Sequence, residues 1–205
     1  MISPRKPSLQ AIARFLAEQE KLSFTYLGVG SSNAQPPSGY VVDHTRVKLG
    51  SGSAVFAAAR RAIESWQQFQ LGWVEALPRD TPIEVGRVIA VRAFALGSWT
   101  VNAARIVYVI DYTVDATLPA DPSRTAHNIV RQFGFAYGTL PGHMESGEER
   151  FLIEELTDGS VWYDIIAFSR PRHPLARLAY PLVRRLQRKF GRSSAAAMQA
   201  ACAAA

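Results

Sequence analysis

The 205-residue chain reads as an α+β fold in which a curved antiparallel sheet of about six to seven strands wraps around a long C-terminal helix. Three observations predict this. One β-prone segment is followed by a single amphipathic helical stretch and then by a run of further β-prone segments without intervening helices. The segment after that run returns to helical spacing and carries an apolar stripe. Finally, 48% of the residues are hydrophobic, enough for a real core.

Residues 8–22 read as an amphipathic helix. Ser8 caps it, and Leu9, Ile12, Ala13 and Leu16 fall at helical spacing. Residues 1–23 thus form an N-terminal helical arm. Residues 28–39 are rich in Gly, Ser, Asn and Pro and read as a loop. Residues 40–49 read as a strand, with Val41, Thr45, Val47 and Leu49 alternating against His44, Arg46 and Lys48. Gly50 to Ser53 break it and open a helix whose stripe is Val55, Phe56, Ala59, Ala62, Ile63 and Trp66.

Strands are expected near 70–77, 83–96, 103–115, 128–142, 147–157 and 160–169. Gly86 falls inside the second of these, where a bend is easy. Residues 157–160 carry a hairpin turn signal. From Pro174, Leu175, Leu178, Ala179, Leu182, Leu186 and Phe190 make an apolar stripe, and Pro181 should kink or divide the helix. Residues 194–205 are Ala-rich, offer little to pack and are expected to fray. The chain thus divides into the arm, one α+β domain over 24–193, and a tail. A sheet that is apolar on its concave face needs a long stripe to cover it. This helix-grip packing often leaves a cavity between helix and sheet.

Cys202 is the single cysteine, which excludes a disulfide framework within one chain and fits a reducing, cytoplasmic setting. No apolar run approaches the roughly 20 residues of a membrane span, and no apolar segment of a secretory signal follows Arg5 and Lys6. The net charge is +6, and every charged residue from Arg170 to Arg192 is basic. Arg177, Arg184, Arg185, Arg188 and Lys189 form a basic patch there. It is either a solvated helix face or a surface for an anionic membrane. Nucleic acid is not expected, because no binding motif accompanies the charge.

The densest polar constellation is Tyr137, Thr139, His143, Glu145, Glu148 and Glu149. Tyr137, His143 and Glu148 are candidate general acid and base groups if a hairpin gathers them at one end of the sheet. The alternative is a plain turn set by Pro141 and Gly142, with Tyr137 in the core. The spacing matches no helix-borne zinc motif, so no metal is expected. Candidate ligand-binding residues are Asn102, Arg105, Tyr108, Phe135, Thr139 and Asp164. Arg105 either anchors an anion or pairs with Glu148, Glu154 or Asp164. Asp164 shares alternate positions with Trp162, Ile166 and Phe168 and leans inward. There is no nucleophile elbow, Walker loop or dinucleotide fingerprint, so no cofactor is expected.

Three stretches carry a resemblance. They are residues 135–151 (FAYGTLPGHMESGEERF), 99–108 (WTVNAARIVY) and 162–178 (WYDIIAFSRPRHPLARL). Together they resemble the uncharacterised domain-of-unknown-function family nineteen-ninety of bacteria and plants, over about residues 24–190. The resemblance brings no established activity. It implies a helix-grip architecture similar to the START (SRPBCC) and birch-pollen-allergen superfamily, and with it an internal pocket for apolar ligands. Three functions are therefore expected to compete. The first is binding of a small apolar or amphipathic ligand. The second is an enzyme of the same fold, such as a cyclase, dehydratase or hydrolase. The third is a peripheral membrane or interaction module acting through the basic C-terminal helix.

Overall fold

The computed structural model describes residues 1–114, 128–203 and 205. Its strands are β1 Ile2–Ser3, β2 Val41–Ser51, β3 Val74–Leu77, β4 Val88–Ala95, β5 Ser98–Thr113, β6 Ile129–Thr139, β7 Glu145–Leu156 and β8 Ser160–Pro171. Its helices are α1 Leu9–Gln19, α2 Ser53–Glu64, α3 Pro174–Leu178 and α4 Tyr180–Cys202. One sheet runs in the order β2-β8-β7-β6-β5-β4-β3, and β1 pairs with β5 off this path. Every pairing is antiparallel. The first long strand therefore lies beside the last, and the helix after the last strand returns across the sheet.

Local chemistry sets the boundaries. The Ser8 side chain accepts a hydrogen bond from the Ala11 N–H at 3.2 Å and caps α1. The β7–β8 hairpin turns at Gly159, whose φ of 78° lies in the region that favours glycine. The expected strand 83–96 begins only at Val88. Gly86 lies in the turn before it rather than within it, and its N–H donates to the Ile106 carbonyl. The expected strand 70–77 shortens to β3, because a 3₁₀ turn at Gln67–Phe69 carries Phe69 into the core. Residue 115, the end of the expected 103–115 strand, lies outside the described residues.

The concave face is the main core. Phe133, Phe135, Phe151, Ile153, Val161, Tyr163 and Ile165 pack there against α2, Trp66, Phe69 and the end of α4. The stripe expected on α2 is buried as read. The rings form a connected set, with Trp66 against Phe135 at 5.1 Å and Phe69 against both Phe151 and Phe190 at 5.2 Å. On the other face, α1 places Ile12 against Leu77, Ala90 and Val101. The arm thus forms a second layer on the outside of the sheet.

The C-terminal helix corrects the sequence reading. It is divided at Ala179, just before Pro181, as expected. Yet the front of the expected stripe faces solvent: Leu178 is 84% exposed and Leu175 52%. The Ala-rich segment expected to fray is helical through Cys202, and Met198 and Cys202 belong to the core. The reason is close approach. Gly191 has no side chain where α4 crosses Thr45, and a Cβ there would meet the Thr45 hydroxyl at 2.7 Å. One turn on, the buried Ser194 hydroxyl meets the Tyr163 phenol at 2.9 Å. Small residues let this half of α4 seat closely on the sheet, whereas the leucines of α3 stay exposed. Residue 204 lies outside the described residues.

Candidate functional site

Adjacent residues on β7 point to opposite faces, so Glu148 and Glu149 belong to different sites. Tyr137 pairs in register with Glu149, and Gly138 pairs with Glu148. On the outer face, Glu148 is buried and its carboxylate accepts from the Tyr26 hydroxyl at 2.6 Å, the Gly30 N–H at 2.8 Å and the Ser32 N–H at 3.0 Å, as well as from the Ser32 hydroxyl. Ser32 also meets Tyr108 at 2.7 Å. Burial and the adjoining carboxylate raise the Tyr26 pKa, and burial pushes Tyr108 up to about 12. Glu148 is thus the buried anchor of the 24–34 segment. Gly138 leaves the space that Tyr26 fills, and Gly142 leaves the space for Phe15. The Thr139 and Thr25 hydroxyls meet at 2.6 Å. The long stretch that carries the family resemblance is therefore, on this face, a clamp for the N-terminal arm.

The inner face carries a different pair. The Tyr137 hydroxyl donates to Glu149 at 2.5 Å amid the aromatic core, with Phe69 and Phe151 against its ring. No basic residue forms an ion pair with Glu149 among the described residues. Burial pushes its carboxyl up to about 7; the Tyr137 hydrogen bond opposes this and the Asp43 charge adds to it. Burial likewise raises Tyr137 well above the usual phenol range. Glu145, at the start of the same strand, is buried with neither oxygen hydrogen-bonded among the described residues. Burial pushes it to about 7 as well, with the Arg184 charge acting the other way. Toward α4 the site continues through Arg184, whose fork holds both oxygens of Asp43, and through Gln187, which bonds Ser169 at 3.0 Å. The Tyr137–Glu149 pair feels the charge of Asp43, and Glu145 that of Arg184, so the Arg184–Asp43 pair on the α4 side is electrostatically linked to both carboxyls.

The expected convergence of Tyr137, His143 and Glu148 does not occur. Tyr137 meets Glu149, Glu148 faces outward, and His143 braces the turn between β6 and β7, its Nδ1 accepting from the Glu145 N–H at 3.0 Å. Burial lowers the His143 pKa to about 4, so its ring is neutral at pH 7. Asn102 steadies the same turn by accepting from the Met144 N–H at 3.1 Å.

Arg105 pairs with none of the three acids proposed for it. It caps the end of α1 through the Glu20 and Leu22 carbonyls at 2.7 and 3.0 Å. Asp164 is buried as expected, but on the outer face of the sheet rather than in the concave core. There His44, Arg46 and Arg150 surround it at 2.7, 3.1 and 2.9 Å. Its pKa is lowered: burial acts to raise it, and the hydrogen bonds and charges of His44 and Arg150 outweigh burial. Of the candidate ligand-binding residues, Phe135 lies fully buried in the concave core.

The basic patch is not one surface. Arg184 is spent on Asp43, and Lys189 sits 4.3 Å from the Trp73 ring centroid. Arg177 lines a separate cleft, and Arg185 and Arg188 face solvent. Sequence reading missed Tyr26, Ser32, Arg150 and Asp43 as partners. Their one visible signal was a buried-strand carboxylate that needed donors, which named the need without the donor. Among the described residues no group of three or more His, Cys, Asp or Glu is arranged to hold a metal, and no helix is long and apolar enough to cross a membrane.

An antiparallel sheet that grips its C-terminal helix, with a phenol–carboxyl pair set into the grip, defines a helix-grip protein. The chain belongs to the family described as Domain of unknown function (DUF1990), whose model matches residues 25–197. Relatives named UPF0548 protein occur in an amoeba and a plant. The Dictyostelium discoideum protein is 32% identical over 203 residues, covering 91% of this chain and 88% of its own. The Arabidopsis thaliana protein is 34% identical over 160 residues, covering 78% and 72%. A hypothetical protein of Helicobacter pylori has a solved structure similar to this one at a TM-score of 0.49 and 9% identity, covering 87% of this chain and 95% of that one. A likeness that distant says nothing about a ligand or a reaction.

Proposed function

We propose that the protein binds a small amphipathic molecule between α4 and the concave face. The observation that carries this reading is the Tyr137–Glu149 pair. A carboxyl shifted to about 7 and placed among aromatic rings without a cation costs stability, and a polar ligand group offsets that cost by hydrogen bonding. Trp66 and Phe69 already fill the centre of the concave face. The ligand's polar end therefore belongs near Glu145, Glu149 and Arg184, with its apolar part along Phe151 and Phe190. The test is native mass spectrometry of the purified protein. The expected result is a co-purifying mass that denaturation releases and that Tyr137→Phe retains less well, by roughly tenfold in affinity for one lost hydrogen bond. No bound mass, together with no thermal shift from any amphipathic compound tried, would sink the reading.

One observation favours a second reading. A carboxyl poised near neutrality and bonded to a phenol has the makings of a general acid–base pair. The enzyme alternative thus moves from Tyr137, His143 and Glu148 to Tyr137 and Glu149. The single free cysteine supports a cytoplasmic setting.

A further inference from the structure

A cleft of about 350 Å³ opens on the surface where the segment after the arm, the start of β7, the end of β8 and α3 meet, lined by Thr25, Ser146, Arg170, Pro171, Arg172 and Arg177. All three of its charged residues are arginines. Among the described residues each guanidinium is held by a neutral group. Arg172 donates to the Pro141 carbonyl at 2.7 Å, Arg177 reaches the Pro171 carbonyl at 3.4 Å, and Arg170 lies 4.6 Å from the Tyr40 ring centroid. Two acids adjoin the lining: Glu145, in register with Pro171, is buried on the inner face, and Glu148 is enclosed by Tyr26, Gly30 and Ser32. Neither forms an ion pair with a cleft arginine among the described residues.

Three like charges around one concavity repel, and an anion relieves the repulsion. Planar guanidinium forks match phosphoryl oxygens bidentately. The volume lies at the low end of small-molecule sites and exceeds the need of a lone phosphate. We propose that this cleft is a second site, separate from the helix–sheet interior, which takes the phosphoryl group of a phosphate monoester. Its walls come from three separately held parts of the chain, so an occupant cross-links the segment at Thr25, the sheet and α3. The exposed Leu175 and Leu178 flank Arg177 on α3, so a lipid headgroup and a soluble metabolite both present the required chemistry.

Two binding measurements test the proposal. One is calorimetric titration with glycerol 3-phosphate. The other is co-sedimentation with phosphatidylcholine vesicles that contain or lack phosphatidic acid. Saturable binding in either is expected: binding in the first alone identifies a soluble ligand, and binding in the second alone a headgroup. Arg170→Gln and Arg177→Gln should each weaken binding about tenfold, the loss of one charge-assisted contact. Arg177 is near the surface, so its substitution leaves the melting transition in place as a folding control. Arg188→Gln, outside the cleft, should bind as the parent does. Absence of binding in both measurements overturns the proposal. So does an equal loss in Arg188→Gln and Arg177→Gln, which would indicate diffuse charge rather than a site.

Discussion

At the scale of the residue, neighbouring glutamates on β7 show how environment divides roles. Glu148 is enclosed by donors from the 24–34 segment, and Glu149 sits among rings with one phenol. Glu148→Gln replaces an acceptor oxygen with an amide NH2, a donor facing those donors. It should destabilise the fold by about 2–4 kcal/mol in urea unfolding, the range for a buried charged hydrogen-bond acceptor. Glu145 and Glu149 predict a pH dependence. Their folded values near 7 lie above their ordinary value of 4.5, so the native state holds more protons. Their favourable contribution is present below about pH 4.5 and is lost as pH rises through about 7. His143, lowered from 6.5 to about 4, acts in the opposite sense between those values but offsets one group only. The midpoint of thermal unfolding should therefore fall between pH 5 and pH 8, by the equivalent of roughly 1–3 kcal/mol. Glu149→Gln should flatten that slope, and an unchanged slope would count against the buried acid.

At the scale of the element, the C-terminal helical segment departs from the expected packing: the leucines of α3 face solvent, and the core contacts lie along α4 as far as Cys202. Its apolar stripe was legible as a pattern, but a pattern does not say which turns the sheet will touch. Met198→Ala removes a fully buried side chain and should cost about 2–4 kcal/mol. Leu178→Ala removes an exposed one and should change stability by less than about 0.5 kcal/mol. Chemical denaturation of the two variants distinguishes this arrangement from the one read in the sequence, which makes the opposite ranking.

At the scale of the molecule, the sheet is covered on both faces, by α2 and α4 within and by the arm without. The arm is held by a few fitted contacts rather than by a broad core. Gly138→Ala places a Cβ 2.2 Å from the Tyr26 hydroxyl position and should cost about 1–3 kcal/mol. The loss should be local. Hydrogen exchange should quicken across residues 9–34 while the core strands keep their protection. If core and arm lose protection together, the arm is an integral part of one cooperative unit.

Much of this architecture was legible. The period-two runs, the Gly159 turn, the α2 stripe and the break before Pro181 follow from steric and hydrophobic rules that act over a few residues. The candidate site was legible only as a list of residue types. Tyr137 and Glu149 were visible in it, yet their pairing was not, because register decides which of two adjacent carboxylates shares a face with a given phenol.

By itself the sequence determined the order of strands and helices, the basic character of the C-terminal segment and the family, since each resides in local pattern. Only the tertiary structure decided that Glu148 serves the 24–34 segment and Glu149 the interior, and that an Ala-rich end is core. It also decided that three arginines, none of them in an ion pair among the described residues, share one cleft. Those outcomes depend on which distant backbone comes within a few ångströms, a quantity fixed by packing and absent from any stretch of sequence.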